Sequence, residues 1–191
     1  MEKNPWIITS EKKIYANPWI DVTEYGVINP SGNPGIYGKV HFKNTAVGII
    51  VLDEEMNIYL VGQYRFAMDA YSWEIPEGGA PAGSDTLENG KRELLEETGL
   101  MADHWQPLLQ MHLSNSVSDE FAQVYLATGL TQHEAAPEET EDLAIKKIPF
   151  AEAYRMVEDG IITDSMSVAA IIKIKLLSAE GKLSNTFADA R

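Results

Sequence analysis

The sequence predicts an α+β sandwich, and three observations predict it. The first third is a series of short β-prone runs separated by turn residues. One stretch, residues 85–99, carries the start signal, the period and the stop signal of a helix. Strands and helices then mix without the regular βαβ alternation that marks a doubly wound sheet.

The elements follow in order. "WIDVTEYGV" (19–27) and "IYGKVHF" (36–42) are β-prone, and "NPSGNPG" (29–35) between them is a turn cluster. "TAVGIIVLD" (45–53) and "NIYLVGQYRF" (57–66) flank "EEM" and read as a hairpin with a three-residue loop. "NPW" occurs at 4–6 and 17–19, too short a match to mark a repeat. "WEIPEGGAPAGSD" (73–85) reads as a short strand entering a Pro/Gly loop. In the helix that follows, Asp85 caps the start and Glu88 is placed to complete a capping box. Leu87, Leu94, Leu95 and Thr98 share a face, and Gly99 stops the helix. "FAQVYLATG" (121–129) and "EDLAIKKIPF" (141–150) read as strands, and "AEAYRMVEDG" (151–160) as a short helix. Asp164 or Ser165 caps a last helix reaching about Leu177, and the tail beyond reads as frayed.

With 191 residues and 45% hydrophobic content, the chain suits one domain with a sizeable core. It has no cysteine, which removes disulfides, thiolate ligands and thiol nucleophiles, and fits a cytoplasmic setting. The N-terminal residues show no apolar core of a signal peptide, and no apolar run approaches membrane-spanning length. The net charge of −14 repels nucleic acid and anionic membranes. Solubility alone is the commonest meaning of such acidity. The acidic stretch around 134–142 reads as a solvated loop, and the four histidines lack ligand spacing.

The helix raises a sharper question. Glu93 and Glu97 are four apart, a spacing at which like charges cost roughly 0.2–0.5 kcal/mol. With Leu94 as the centre of the buried stripe, Glu97 and Glu93 fall about 60° and 100° to one side. Gly90 lies about 40° to the same side, at a cost of about 1 kcal/mol against Ala. It is expected to admit the preceding Gly-rich loop. Arg92 supplies a helix partner for Glu96, and the sequence offers no such partner for the other two acids. A divalent cation explains the arrangement, since Mg²⁺ and Mn²⁺ take hard carboxylate oxygens together with substrate phosphates.

Gly78, Ser84, Arg92, Glu93, Leu94, Glu96, Glu97, Gly99 and Leu100 resemble the Nudix box. That pattern is Gly, five residues, Glu, seven residues, Arg-Glu-aliphatic, one residue, Glu-Glu, one residue, Gly-aliphatic. Only Ser84 departs from it, standing where the box has its first glutamate. That acid usually supports the metal site; Asp85 or Glu88 could compensate. "QYRFAMDAYSWEIPEGG" resembles the stretch before the box in ADP-ribose pyrophosphatases and related nucleoside-diphosphate-sugar hydrolases. "SNSVSDEFAQVYLA" resembles that branch's mobile Ser-Pro-Gly-x-Ser-Asp-Glu loop, with Asn115 and Ser116 in place of Pro and Gly. "IPFAEAYRMVEDGIITDSMSVAAI" resembles its C-terminal helical region.

The resemblance implies a Nudix α/β/α sandwich with a mixed sheet. Its expected parts are an N-terminal β-subdomain at 1–42 with dimer contacts, a hydrolase domain at 43–180 and a frayed tail at 181–191. It implies a cytoplasmic homodimer that hydrolyses a nucleoside diphosphate-sugar. Mg²⁺ or Mn²⁺ is expected on Glu93 and Glu97, with Glu96 and the Glu77 carbonyl. Glu120 is the expected base, and Arg92 fixes the glutamates. Arg65 is expected on phosphate, although a strand-end salt bridge would also suit it. Asn115 and Ser118 belong to the loop beside the sugar. Trp19, Trp6 and Tyr37 could stack on a base, although core or dimer contacts are commoner for such side chains. Two other classes stay open. One is a Nudix-like nucleotide binder without turnover, which Ser84 motivates; the other is an acidic interaction protein.

Overall fold

The computed structural model describes residues 3–133 and 143–183 of the protein. The acidic stretch at 134–142 and the tail from 184 lie outside the described residues.

Three sheets form the framework. β1 (Ile7–Ala16), β2 (Ile20–Ile28) and β3 (Pro34–Phe42) make an antiparallel N-terminal sheet. β4 (Asn44–Val51), β7 (Glu77–Pro81), β8 (Leu100–His112) and β9 (Phe121–Gln132) make a mixed sheet in the order β7-β4-β9-β8. In it, β4 and β9 run parallel. β5 (Asn57–Arg65), β6 (Ala70–Glu74) and β10 (Ala144–Pro149) make the third sheet, in the order β10-β5-β6. The helices are α1 (Thr86–Thr98), α2 (Phe150–Glu158) and α3 (Ser165–Ala179).

β4 explains the layering. Its side chains alternate across the sheet, as a strand's must. Val47, Ile49 and Val51 join Leu94 of α1 and Tyr125 of β9 in one buried cluster. Ile50 and, just past the strand, Leu52 join Phe150, Met156, Met166 and Ile171 in the other. The mixed sheet is therefore covered by α1 on one face and by α2 and α3 on the other. Each fully buried aliphatic side chain contributes roughly 1.5–3 kcal/mol, so β4 is the spine of both clusters. Leu183 is also buried in the second cluster, so the tail expected to fray from 181 holds a core residue.

The expected β4–β5 hairpin does not form. Leu52 and Ile58 make one isolated antiparallel bridge, after which the strands enter different sheets. Asp53–Met56 is a turn closed by Met56 N donating to Asp53 O at 3.1 Å. A second difference concerns the Gly-rich segment expected as a loop. Residues Glu77–Pro81 are a strand paired antiparallel with β4.

The caps of α1 are as expected in part. The Asp85 carboxylate accepts from Leu87 N at 2.8 Å, a contact worth about 1 kcal/mol. Glu88 does not complete a capping box; it pairs with Lys91 at 2.7 Å. Gly99 ends the helix in the left-handed conformation at φ 69°. Gly90 faces β4, not the Gly-rich segment: a Cβ there would stand 3.2 Å from Val47 Cγ1. Its bare Cα lets α1 settle on the sheet.

Candidate active site

The turn from β6 to β7 is held from three elements. Ile75 N donates to Ser167 Oγ of α3 at 2.9 Å. Ile49 N of β4 donates to Pro76 O at 2.8 Å. Glu77 N donates to the Glu97 carboxylate of α1 at 3.1 Å. Glu97 is only 2% exposed, so its acid is carried into the seam between helix and sheet. One turn earlier, Glu93 lies against Gly78.

The partners of the helix acids differ from expectation. Arg92 bonds both Glu96 and Glu93, so Glu93 has a side-chain partner after all. Arg65 bonds the buried Glu74 and also Glu77. Its Nε and Nη2 make these contacts, so the strand-end salt bridge exists. Glu77 Oε2 is buried with no hydrogen-bond partner. Burial pushes the Glu77 carboxyl well above its ordinary range, and Asp164, Glu74 and Glu97 add to this while Arg65 opposes it. Burial raises Glu120 as well, with Asp164 contributing.

These groups border a cleft of about 670 Å³. Its walls include Trp19, Arg65, Glu77, Glu120, Glu74 and Asp164. Trp19 is 65% exposed at the cleft. Trp6 and Tyr37 instead pack edge to face on each other. Asn115 and Ser118 are not among the wall residues. Asn115 lies exposed in a turn, and Ser118 Oγ donates back to Ser114 O at 3.0 Å. Glu93 and Glu97 sit behind Gly78 and Glu77, and neither they nor Glu96 and Arg92 are among the wall residues.

Ser84 is spent locally. Its hydroxyl donates to Pro81 O at 2.7 Å and accepts from Asn89 Nδ2 at 3.0 Å. Asp85 caps α1 and Glu88 pairs with Lys91. Glu74 and Asp164 bring further carboxylates to the cleft, and sequence reasoning did not nominate them as site residues. Asp164 was recognisable only as a cap, and it does cap α3, accepting from Ser167 N at 2.7 Å. Glu74 had no local signal beyond its place before the Pro/Gly segment.

The donor chemistry fits a hard divalent cation. No three acid or imidazole groups among the described residues converge tightly enough to cage an ion by themselves. Several carboxylates nevertheless crowd one wall, one buried oxygen lacks a partner, and Arg65 is the cation lining the cleft beside them. Glu77 offers this carboxylate oxygen in addition to the carbonyl expected from the sequence.

Comparison with known proteins shows what the chain is similar to. The family model described as the NUDIX domain matches residues 42–164. An ADP-ribose pyrophosphatase of Mycobacterium tuberculosis is 38% identical over 132 residues, 68% of this chain and 64% of that protein. The match thus spans just under two thirds of that relative's length. An ADP-ribose pyrophosphatase of Bacillus subtilis is 27% identical over 172 residues, 89% of this chain and 92% of that protein. The crystal structure of an ADP compounds hydrolase superposes with a TM-score of 0.83 at 19% identity. It covers 95% of this chain and 99% of that one, and shows the same fold.

Proposed function

The chain belongs to the NUDIX family, and from that membership we propose that it is a cation-dependent hydrolase of nucleoside diphosphate-sugars. ADP-ribose or an NDP-hexose is cut at the diphosphate, giving a nucleoside monophosphate and a sugar phosphate. The observation that carries this reading is the buried acid set behind the cleft. Glu77 has a carboxylate oxygen without a partner, and its amide bonds the buried Glu97. The names of the two pyrophosphatase relatives support the substrate class.

Glu93, Glu97 and Glu96, with Glu77, would hold the divalent cation, Mg²⁺ or Mn²⁺, which would supply charge neutralisation at the diphosphate and activation of water. Arg92 keeps Glu93 and Glu96 in place through its two ion pairs. Glu120 accepts the proton of the attacking water; its raised pKa brings it nearer the range a base needs at neutral pH. Arg65 braces Glu74 and Glu77 and offers Nη1 to a phosphate oxygen. Trp19 stacks on the base, and the loop with Asn115 and Ser118, outside the cleft walls, bears on the sugar only through its cleft-lining Glu120. The exposed Ile7, Ile8, Ile14 and Ile36 of the N-terminal sheet support a homodimer joined there, and the cysteine-free sequence suits the cytoplasm. No described helix is long and apolar enough to cross a membrane.

The Ser84 hydroxyl, spent on a turn, favours a second reading: a binder without turnover. A phosphatase-coupled screen of ADP-ribose, NDP-hexoses and dinucleoside polyphosphates with Mg²⁺ separates the two. The proposal expects turnover of ADP-ribose or an NDP-hexose. A melting temperature raised by Mg²⁺ plus nucleotide, with no phosphate released from any substrate, supports the binder.

A further inference from the structure

We propose that Asp119 is a positioning residue that pins the loop carrying Glu120 to β3, so that the N-terminal sheet sets where the base stands. The proposal rests on the role given to Glu120 above.

β3 lies at the edge of its sheet, with its other edge turned toward residues 113–120. An edge strand carries backbone donors and acceptors that need partners. Here the loop supplies them. Val40 N donates to Val117 O at 2.9 Å, and Asp119 N donates to Val40 O at 3.2 Å. Val40 and Ser118 form a parallel bridge. The Tyr37 hydroxyl donates to Ser116 O. The loop is thus a short extension of the N-terminal sheet.

The Asp119 side chain locks this register. Its Oδ2 meets Lys39 Nζ and His41 Nδ1, each at 2.7 Å. Its Oδ1 accepts from Phe42 N at 3.0 Å. Burial opposes the charge, but Lys39, His41 and the Phe42 amide outweigh it and hold the carboxyl far below its ordinary range. Charge-assisted bonds of this kind are stronger than neutral ones. Asp119 does not line the cleft, while its neighbour Glu120 and its anchor's neighbour Phe42 both do. Leu113 N donates to Glu120 O at 3.2 Å and closes the base of the loop. The Glu120 backbone is therefore held on one side by β8's extension and on the other by Asp119. Loss of the latch frees Glu120 to leave its productive position, and small misplacements of catalytic groups are costly.

A double-mutant cycle tests this on the full-length chain with Mg²⁺ and the nucleotide-sugar it turns over fastest. Asp119→Ala should lower kcat at least tenfold and leave KM within about threefold. In a Glu120→Gln background the same substitution should cost less than twofold more, because the base it positions is already gone. Hydrogen exchange at the Val40 amide should quicken in Asp119→Ala without any substrate present. If Asp119→Ala does not fold, the Lys39→Met/His41→Ala variant removes two of the three donors and should show the same non-additivity. A further tenfold loss in the Glu120→Gln background overturns the proposal, as does an unchanged kcat in Asp119→Ala. Wild-type kcat in Glu120→Gln alone overturns the reading of Glu120 and the proposal with it; only the first two results overturn the proposal while sparing that reading.

Discussion

The carboxylate end of Glu93 occupies the space that a side chain on Gly78 would fill. A Cβ at 78 would stand 2.1 Å from Glu93 Cδ and 2.3 Å from Oε1. The glycine that opens the box is therefore a seat for Glu93. Gly78→Ala should keep the fold, because the flexible end of one side chain can swing aside. It should displace Glu93 and lower kcat/KM at least tenfold, about 1.4 kcal/mol in transition-state binding. Steady-state kinetics and a melting curve check this; unchanged activity would show that Glu93 need not sit at Gly78.

Glu97→Gln should lower turnover by two orders of magnitude or more, roughly 2.7 kcal/mol. The amide oxygen can still accept from Glu77 N, so the turn before β7 should survive. Removing one charge from a crowded acid set should leave the cation-free protein as stable as before or slightly more so. Activity and melting temperature measured together decide this. Near-wild-type turnover at saturating Mg²⁺ would remove Glu97 from the cation site.

Asp53 is one carboxylate away from the cleft whose ion pair should contribute acid-labile stability. Burial disfavours its charge, but Lys147 and Asn57 outweigh that and lower its pKa from 3.8 to about 2. A depressed carboxylate contributes stability above its unfolded pKa and loses it as pH falls through the folded value. The contribution is therefore complete above about 4 and fades toward pH 2. Asp53→Asn should cost on the order of 1–2 kcal/mol at neutral pH, with the difference closing at about pH 2. Urea unfolding of both proteins across that window tests it; a constant difference down to pH 2 would refute the ionic origin.

Legibility followed the range of the interactions. α1 was readable because Asp85, Leu94 and Gly99 act within one helix. The turn after β4 was readable as a turn, but its sheet partners were not: β4 pairs with Phe121–Gln132, far along the chain. β1 gave no alternation because all of its residues are exposed. β8 was hidden by Pro107, which the strand tolerates because it lies at the sheet edge beside a register shift. In the site, the Glu93–Glu97 spacing raised the expectation of a cation, whereas Glu74, Asp164 and Asp119 come to notice through contacts made in space. Arg92 bonding Glu93, its own neighbour, was the one local pairing that helix geometry did not suggest.

Asn115 is proposed to bear on substrate range. It is the second residue of a turn in which Val117 N donates to Ser114 O at 3.3 Å, a position that welcomes proline. Asn115→Pro should therefore fold and stiffen the loop. The wild type should turn over an NDP-hexose with kcat/KM within about tenfold of ADP-ribose. The variant should shift the ratio toward ADP-ribose. Kinetics on ADP-ribose, GDP-mannose and UDP-glucose check both; a thousandfold wild-type preference for ADP-ribose would show that Asn115 does not set the range.

The most direct measurement is cation-dependent turnover, followed by ³¹P NMR on ADP-ribose and an NDP-hexose. With Mg²⁺ the account predicts two phosphomonoester signals, one from the nucleoside monophosphate and one from the sugar phosphate. They should grow as the diphosphate signal disappears, and excess EDTA should stop the reaction. Undiminished turnover in EDTA would contradict the cation site. A persistent diphosphate signal for every nucleotide-sugar with Mg²⁺ or Mn²⁺ present would contradict the proposed hydrolase activity.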